Sequence, residues 1–196
     1  MSRMANYPGR AVLALLLGTA MAADPPAPVA AGRYMQAAAG SSLIFTFSQL
    51  GAASSGQFNK FTTGFTYDDG NPAAGSLDVT IDMASLDTQD AERDDALKGA
   101  DLFDAKGHPS ATYVAKSLAR DSAGGLEAVG KLTLRGVSKD LRLPLTLKPT
   151  ANGLELSGQT SIKRLDYGVG QGEWQSTESV GDEVKIQYKV TLVRAK

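Results

Sequence analysis

Residues 77–83 read Leu-Asp-Val-Thr-Ile-Asp-Met, an unbroken alternation of apolar and polar side chains. Successive side chains of a strand point to opposite faces. The spacing therefore puts Leu77, Val79, Ile81 and Met83 on one face and Asp78, Thr80 and Asp82 on the other. This is a half-buried strand, and its logic repeats along the chain. Leu43, Phe45 and Phe47 alternate with Ile44, Thr46 and Ser48. Phe61, Thr63, Phe65 and Tyr67 follow, closed by the turn cluster Asp68-Asp69-Gly70-Asn71-Pro72. Tyr113 falls in a strand predicted from Ala111 to Leu118. Leu132 and Leu134 lead into a short turn at Gly136-Val137-Ser138-Lys139, and Leu141, Leu143, Leu145 and Leu147 return from it as a hairpin. Pro144 in the return strand marks an edge position or a bulge. Leu154, Leu156 and Ile162 mark another strand region. In the last one Val184, Ile186, Tyr188, Val190 and Leu192 alternate with Lys185, Gln187, Lys189 and Thr191. About eight strands at hairpin spacing predict an antiparallel barrel or a sandwich, and alternation alone does not choose between them. A barrel of that size has room for one small ligand.

The 196 residues suffice for one sizeable domain. Arg3 and Arg10, the apolar run Ala11–Gly18 and the small-x-small triplet Ala20-Met21-Ala22 predict a secretory signal peptide over residues 1–22. The apolar run is too short to span a bilayer, and no cysteine follows it to carry a lipid anchor. A proline-rich leader over 23–32 then precedes a domain expected at 33–196. Removing the signal takes away two arginines and no acids, so the formal charge moves from −1 to −3. That balance lacks the basic face a nucleic-acid binder needs. With no cysteine in the chain, stability has to come from a packed core. The expected address is the bacterial periplasm.

Residues 87–104, DTQDAERDDALKGADLFD, hold seven acids in eighteen positions. An EF-hand loop fails in both registers: from Asp87, positions three and five are Gln89 and Ala91, and from Asp90 the glycine position is Asp95. A transition-metal site wants histidine or cysteine, and the chain offers one histidine. A catalytic carboxylate pair would need a dry pocket that the sequence does not reveal. A short helix accounts for the acids instead. Asp90 is the N-cap; Glu92, Asp94 and Asp95 crowd the positive end; Arg93 reaches back to Asp90; Ala96 and Leu97 form a modest apolar side; and Gly99 ends the helix.

Other chemistry-bearing residues read weakly. His108, before Pro109, has no GxSxG elbow to partner it and reads as an exposed loop histidine. Gly168-Val169-Gly170-Gln171-Gly172 lacks the GxGxxG or Gly-Lys-Ser/Thr context of a phosphate loop and reads as a flexible turn or β-bulge. Trp174, the single tryptophan, fits either a barrel plug touching a ligand or ordinary core. The stripe of Phe45, Phe47, Phe58, Phe61, Phe65, Tyr67, Phe103 and Tyr113 is plain core unless the barrel is hollow. A hollow barrel would give it the apolar lining that a lipid-like ligand requires.

Taken in order, these pieces resemble the YceI family of periplasmic, lipocalin-like, polyisoprenoid-binding proteins. The resemblance rests on Ser42–Phe45, Gly56–Phe61, Phe65–Asp68, Val79–Thr88, Glu92–Asp94 with Leu97, Ala100–Asp104, His108–Tyr113, Leu132–Lys139 and Arg164–Val169. It covers roughly residues 33–193, and the ordered set is more specific than any one segment. It implies an all-β fold with a short helix: an antiparallel lipocalin-like barrel of about eight strands enclosing an elongated apolar cavity. It also implies that Leu97, Leu102 and Phe103 of the acidic segment turn to that cavity and the acids to water. Family members are associated with isoprenoid quinones and related amphiphiles, and some with inner-membrane b-type cytochromes. Three histidines expected from the commoner family pattern are replaced here, by Gly40, around Gln49, and by Ala96.

The expectation is a non-enzymatic carrier or sequestering protein for a polyisoprenoid, quinone or fatty amphiphile, without metal or resident cofactor. Its cavity is expected to be lined by Phe45, Phe47, Phe61, Phe65, Tyr67, Leu77, Val79, Ile81, Leu97, Leu102, Phe103, Tyr113 and Trp174. Arg93 or Trp174 would meet a polar head at the mouth. Further candidate partners are an inner-membrane cytochrome and a second copy of the chain. Two other readings stand beside this one. One is a hydrolase or isomerase using the acidic stretch or Asp182 and Glu183. The other is an interaction module, accessory to a membrane cytochrome, with a filled core.

Overall fold

The computed structural model describes residues 28–195, so the expected signal peptide and the leader as far as residue 27 lie outside the described residues. Eleven strands form one sheet. They are β1 (Gly32–Gln36), β2 (Ser42–Gln49), β3 (Ala52–Phe58), β4 (Phe61–Tyr67), β5 (Ser76–Asp82), β6 (Leu86–Asp87), β7 (Ser110–Arg120), β8 (Leu126–Leu134), β9 (Val137–Thr150), β10 (Gly153–Lys163) and β11 (Glu183–Arg194). Among the described residues one α-helix, α1 (Ala91–Lys98), lies between β6 and β7.

The register reduces these strands to eight tracks. β1 and β2 both pair with β11, through Tyr34↔Arg194 at one end and Phe45↔Ile186 at the other, so they are one long strand broken at residues 37–41. β3 and β4 form the next track, pairing with β2 and β1 respectively. β5 and β6 form the third, separated by the 3-10 turn Met83–Ser85. β7 to β10 follow, each antiparallel to its predecessor, and β11 closes the ring. The molecule is an eight-track up-and-down antiparallel β-barrel, and closure removes the free sheet edges an open meander would expose. Each expected strand is present, with Leu43, Phe45, Phe47, Phe65, Leu77 and Tyr113 on the inner face.

Three expectations shift. The barrel starts at Gly32, and Val29 already packs against the core, so the end of the leader belongs to the fold. The hairpin turn before β9 is Arg135-Gly136, with φ of 50° and 73°, and Val137 to Lys139 are already strand. Such two-residue turns need positive φ at both central positions, and an arginine gives no hint that it accepts one. Pro144 is a ladder flank: β9 meets β10 only from Thr146, opposite Ser157, to Thr150. Opposite that missing donor, the Tyr188 hydroxyl reaches across Gly158 to the Pro144 carbonyl. A Cβ at position 158 would stand 2.4 Å from that phenolic oxygen.

The two halves of the barrel differ. One half is filled by Tyr34, Phe65, Tyr67, Leu77, Leu118, Leu126, Leu154, Leu156 and Leu192, all of them buried. At the other, the short strand β6 pairs only with β3, and α1 packs beside it at the rim. That half is hollow.

Candidate ligand-binding site

The acidic stretch folds as its residue types dictate. Asp90 accepts from the Arg93 amide (3.1 Å) and pairs with the Arg93 guanidinium (3.3 Å), while the Gly99 amide donates to the Ala96 carbonyl. Asp94 accepts from both the amide and the hydroxyl of Thr88, at 2.8 and 2.6 Å, tying the first turn to the end of β6. Arg93 also donates through Nε to Thr88 Oγ1 at 3.1 Å. These bonds hold α1 beside the open half of the barrel, with Leu97 inward.

Between α1 and the strands lies a cavity of about 390 Å³, within the range of small-molecule sites. Phe45 and Phe47 of β2, Phe58 of β3 and Phe103 make one wall. Phe45 lies 5.4 Å from Phe58 and 6.4 Å from Phe103, with Phe47 stacked on it at 6.0 Å. Ile186 and Val184 of β11 extend that wall, Ile186 standing directly across the ladder from Phe45. Ile162 of β10 and Leu132 and Leu134 of β8 line the cavity from further round the barrel, with Met83 and Ala111 among the other lining residues. The charged and polar lining residues are few. Asp90, Glu92, Arg93 and Gln49 stand at the mouth, and Arg164 is buried.

Arg164 is the chemical oddity of the site. Its guanidinium donates to the carbonyls of Gly181 (3.0 Å), Val169 (3.0 Å), Val180 (2.8 Å) and Ser176 (3.3 Å), with no carboxylate among its partners. Burial lowers its pKa, opposed by the charge of Asp182. Five forked donors suit such a role, since they satisfy a loop of orphaned carbonyls at once. The glycine run makes space for it: Gly170 has φ of 116°, and a Cβ there would lie 1.9 Å from Arg164 Nη1. Gly168–Gly172 is therefore a turn built around a buried arginine, not a β-bulge. Asp182, a candidate catalytic acid, instead caps the Leu165 amide at 3.0 Å, and Glu183 opens β11 in an exposed position.

Of the thirteen expected lining residues, seven meet in this cavity: Phe45, Phe47, Ile81, Leu97, Leu102, Phe103 and Trp174. Phe61, Phe65, Tyr67, Leu77, Val79 and Tyr113 do not line it: Phe65, Tyr67, Leu77 and Tyr113 are buried in the filled core, and Phe61 and Val79, only half-buried, pack against that core. Tyr113 closes that half: its hydroxyl sits 2.9 Å from the Ala128 carbonyl and 3.0 Å from that of Leu141, and burial raises its pKa. Arg93 and Trp174 are both among the lining residues. Leu43, Leu132, Ile162, Val184 and Ile186 were absent from the expected lining, although the alternation had put them on the inner face. Arg164 had no such signal, since a single charge after an alternating strand looks like any solvated residue. Gln49 and Ala96, two positions where the family resemblance leads one to expect histidine, both line the cavity. His108 lies in a loop, with Nε2 3.8 Å from Asp104.

Comparison with known proteins agrees with this architecture. UPF0312 protein YE1254 of Yersinia enterocolitica is 33% identical over 149 residues, covering 72% of this chain and 74% of that one. Protein YceI of Escherichia coli O157:H7 is 41% identical over 92 residues, covering 47% of this chain and 48% of the relative. Among solved structures, BcnA of Burkholderia cenocepacia superposes with a TM-score of 0.73 at 34% identity, covering 76% of this chain and 94% of that one. A Saccharophagus degradans domain, described as polyisoprenoid-binding, shares the fold at 18% identity with a TM-score of 0.68 over 83% of this chain and 98% of its own. The YceI-like domain model matches residues 34–192, most of the chain, from within the first strand of the barrel to near the end of its last, and the chain therefore belongs to the YceI family.

Proposed function

We propose that this chain is a non-enzymatic periplasmic carrier or sequestering protein for a polyisoprenoid, such as an isoprenoid quinone or a similar long-chain amphiphile. The observation that carries the reading is the asymmetry of the barrel: one half is filled with large side chains, the other is hollow, apolar and open beside a charged rim. Transfer of each methylene from water contributes about 0.8 kcal/mol, so a prenyl chain is held there without charge or hydrogen bonds. The filled half makes the cavity blind. The chain therefore enters tail first, and its polar head stays near Arg93, Asp90 and Glu92. The Saccharophagus degradans domain of the same fold, described as polyisoprenoid-binding, supports the same ligand class. A filled core would have favoured an interaction module; about 390 Å³ of apolar space favours a binder.

The test is to purify the protein from its native compartment, extract it with organic solvent and examine the extract by mass spectrometry. A stoichiometric prenyl chain or quinone is expected. A clean extract, with no uptake of added dispersed prenyl alcohol afterwards, rejects the reading.

A further inference from the structure

A carrier has to collect its cargo somewhere, and the β2–β3 hairpin at the cavity rim has properties that neither fold nor cavity requires. Gln49, the last residue of β2, lines the cavity, and the next residue, Leu50, is 80% exposed. Leu50 also has φ of 50° and is followed by Gly51 at 80°. A two-residue turn with both φ positive strongly favours Asn-Gly or Asp-Gly, and a branched aliphatic residue in the left-handed region is strained. The chain thus accepts backbone strain to hold a leucine side chain in water, where an asparagine would suit the turn better. The tip is held firmly: the Leu50 amide donates to the Ser179 carbonyl at 2.9 Å, and Gln49 bridges to Val180, itself a lining residue. Ala52 and Ala53 beyond the turn are exposed as well.

A second observation is independent of this geometry. The 26 residues between Arg33 and Lys60, which include all of β2, the turn and β3, contain no Asp, Glu, Lys, Arg or His. Charged residues make up 21% of the chain, so an exposed hairpin with none departs from the rest of its surface. Solubility favours charge on such a tip. Partition into the interface of a bilayer favours its absence.

We propose that the Leu50 hairpin is a membrane-docking finger: it inserts Leu50 into the surface of a zwitterionic bilayer and sets the cavity mouth against the lipid, so that cargo passes directly between membrane and barrel. The proposal rests on the carrier reading for its purpose, but the docking itself is measured separately. With no charge on the hairpin, docking is insensitive to salt and to anionic lipid.

The experiment compares wild type with Leu50→Asn, which keeps the turn geometry and removes the apolar side chain. Three measurements are made: flotation of each protein with phosphatidylcholine–phosphatidylethanolamine vesicles, uptake of a fluorescent prenyl alcohol from those vesicles, and uptake of the same alcohol from dilute ethanolic dispersion. Wild type is expected to float with vesicles at low and high salt alike, and its uptake rate to scale with vesicle concentration. Leu50→Asn is expected to show about tenfold weaker flotation and about tenfold slower vesicle uptake, the loss of roughly one interfacial leucine. Its uptake from dispersion and its thermal stability should match or exceed wild type. Equal flotation of the two proteins overturns the proposal, as does docking that disappears at high salt. If neither protein takes up prenyl alcohol from dispersion, the carrier reading fails, and flotation still decides the docking.

Discussion

Arg164 shows how much a single side chain organises here. Its guanidinium is the shared partner of carbonyls from Val169, Ser176, Val180 and Gly181, which puts residues 164–181 under the control of one buried cation. Hydrogen bonds to a charged donor contribute about 1.5–3 kcal/mol each, and a buried carbonyl left unpaired costs about 1–3 kcal/mol. Arg164→Met preserves the aliphatic stem and removes every donor. It should lower the unfolding free energy by about 3–5 kcal/mol in urea titration, with the m-value unchanged, and Arg164→Lys should recover only part of it. A loss below 1 kcal/mol would mean that the loop carries its own carbonyls without help. Nothing in the local sequence distinguishes this arginine from a solvated one. Its neighbours Gly168, Gly170 and Gly172 were visible as a glycine run, but the reason for them was across the loop.

At the scale of the element, strands and helix were readable to different depths. The inner and outer faces of the strands follow from period-two alternation, and the α1 cap follows from Asp90 and the acids behind it. The strand break at residues 83–85 was not readable, because Met83 stays buried there and so continues the pattern, while residues 37–41, none of them buried, carry no alternation to read. Gly56 of β3 shows the cost of reading only side chains. It faces Phe45 across the ladder, and a Cβ there would lie 2.4 Å from the Phe45 ring and 2.7 Å from Thr88 Cγ2. The glycine is the seat of the phenyl ring that walls the cavity. In Gly56→Ala the ring can move only away from β3, into the open space. The expected result is a destabilisation of about 1–3 kcal/mol, as in other overpacked interiors, together with loss of prenyl uptake. Calorimetry and a binding titration on the same preparation check both. A variant that binds as wild type would place the ligand away from Phe45.

For the whole molecule, the inner face of the barrel was legible but not its depth. Phe45 and Phe65 look equivalent in the sequence, each an inward phenylalanine in a strand of alternating residues. In the barrel Phe65 is 2% exposed, stacked on Tyr67 at 5.8 Å in the filled half, and Phe45 is 5% exposed beside the void. What distinguishes them is the number of large side chains arriving at the same height from other tracks, a property that alternation within one strand does not contain. The two halves should therefore answer to mutation in opposite ways. Phe65→Ala removes a ring that has neighbours on all sides and should cost about 3–5 kcal/mol of stability, while the protein that remains folded keeps its capacity for prenyl chains. Phe45→Ala removes a ring already bordering open space; its stability cost should be smaller, about 1–3 kcal/mol. Its affinity for a prenyl alcohol should fall by about tenfold, since an apolar contact surface is gone. Urea titration and fluorescence binding on both variants separate scaffold from site. If folded Phe65→Ala loses binding while Phe45→Ala retains it, the cargo occupies the half that is filled in the empty protein, and the barrel has to repack to admit it.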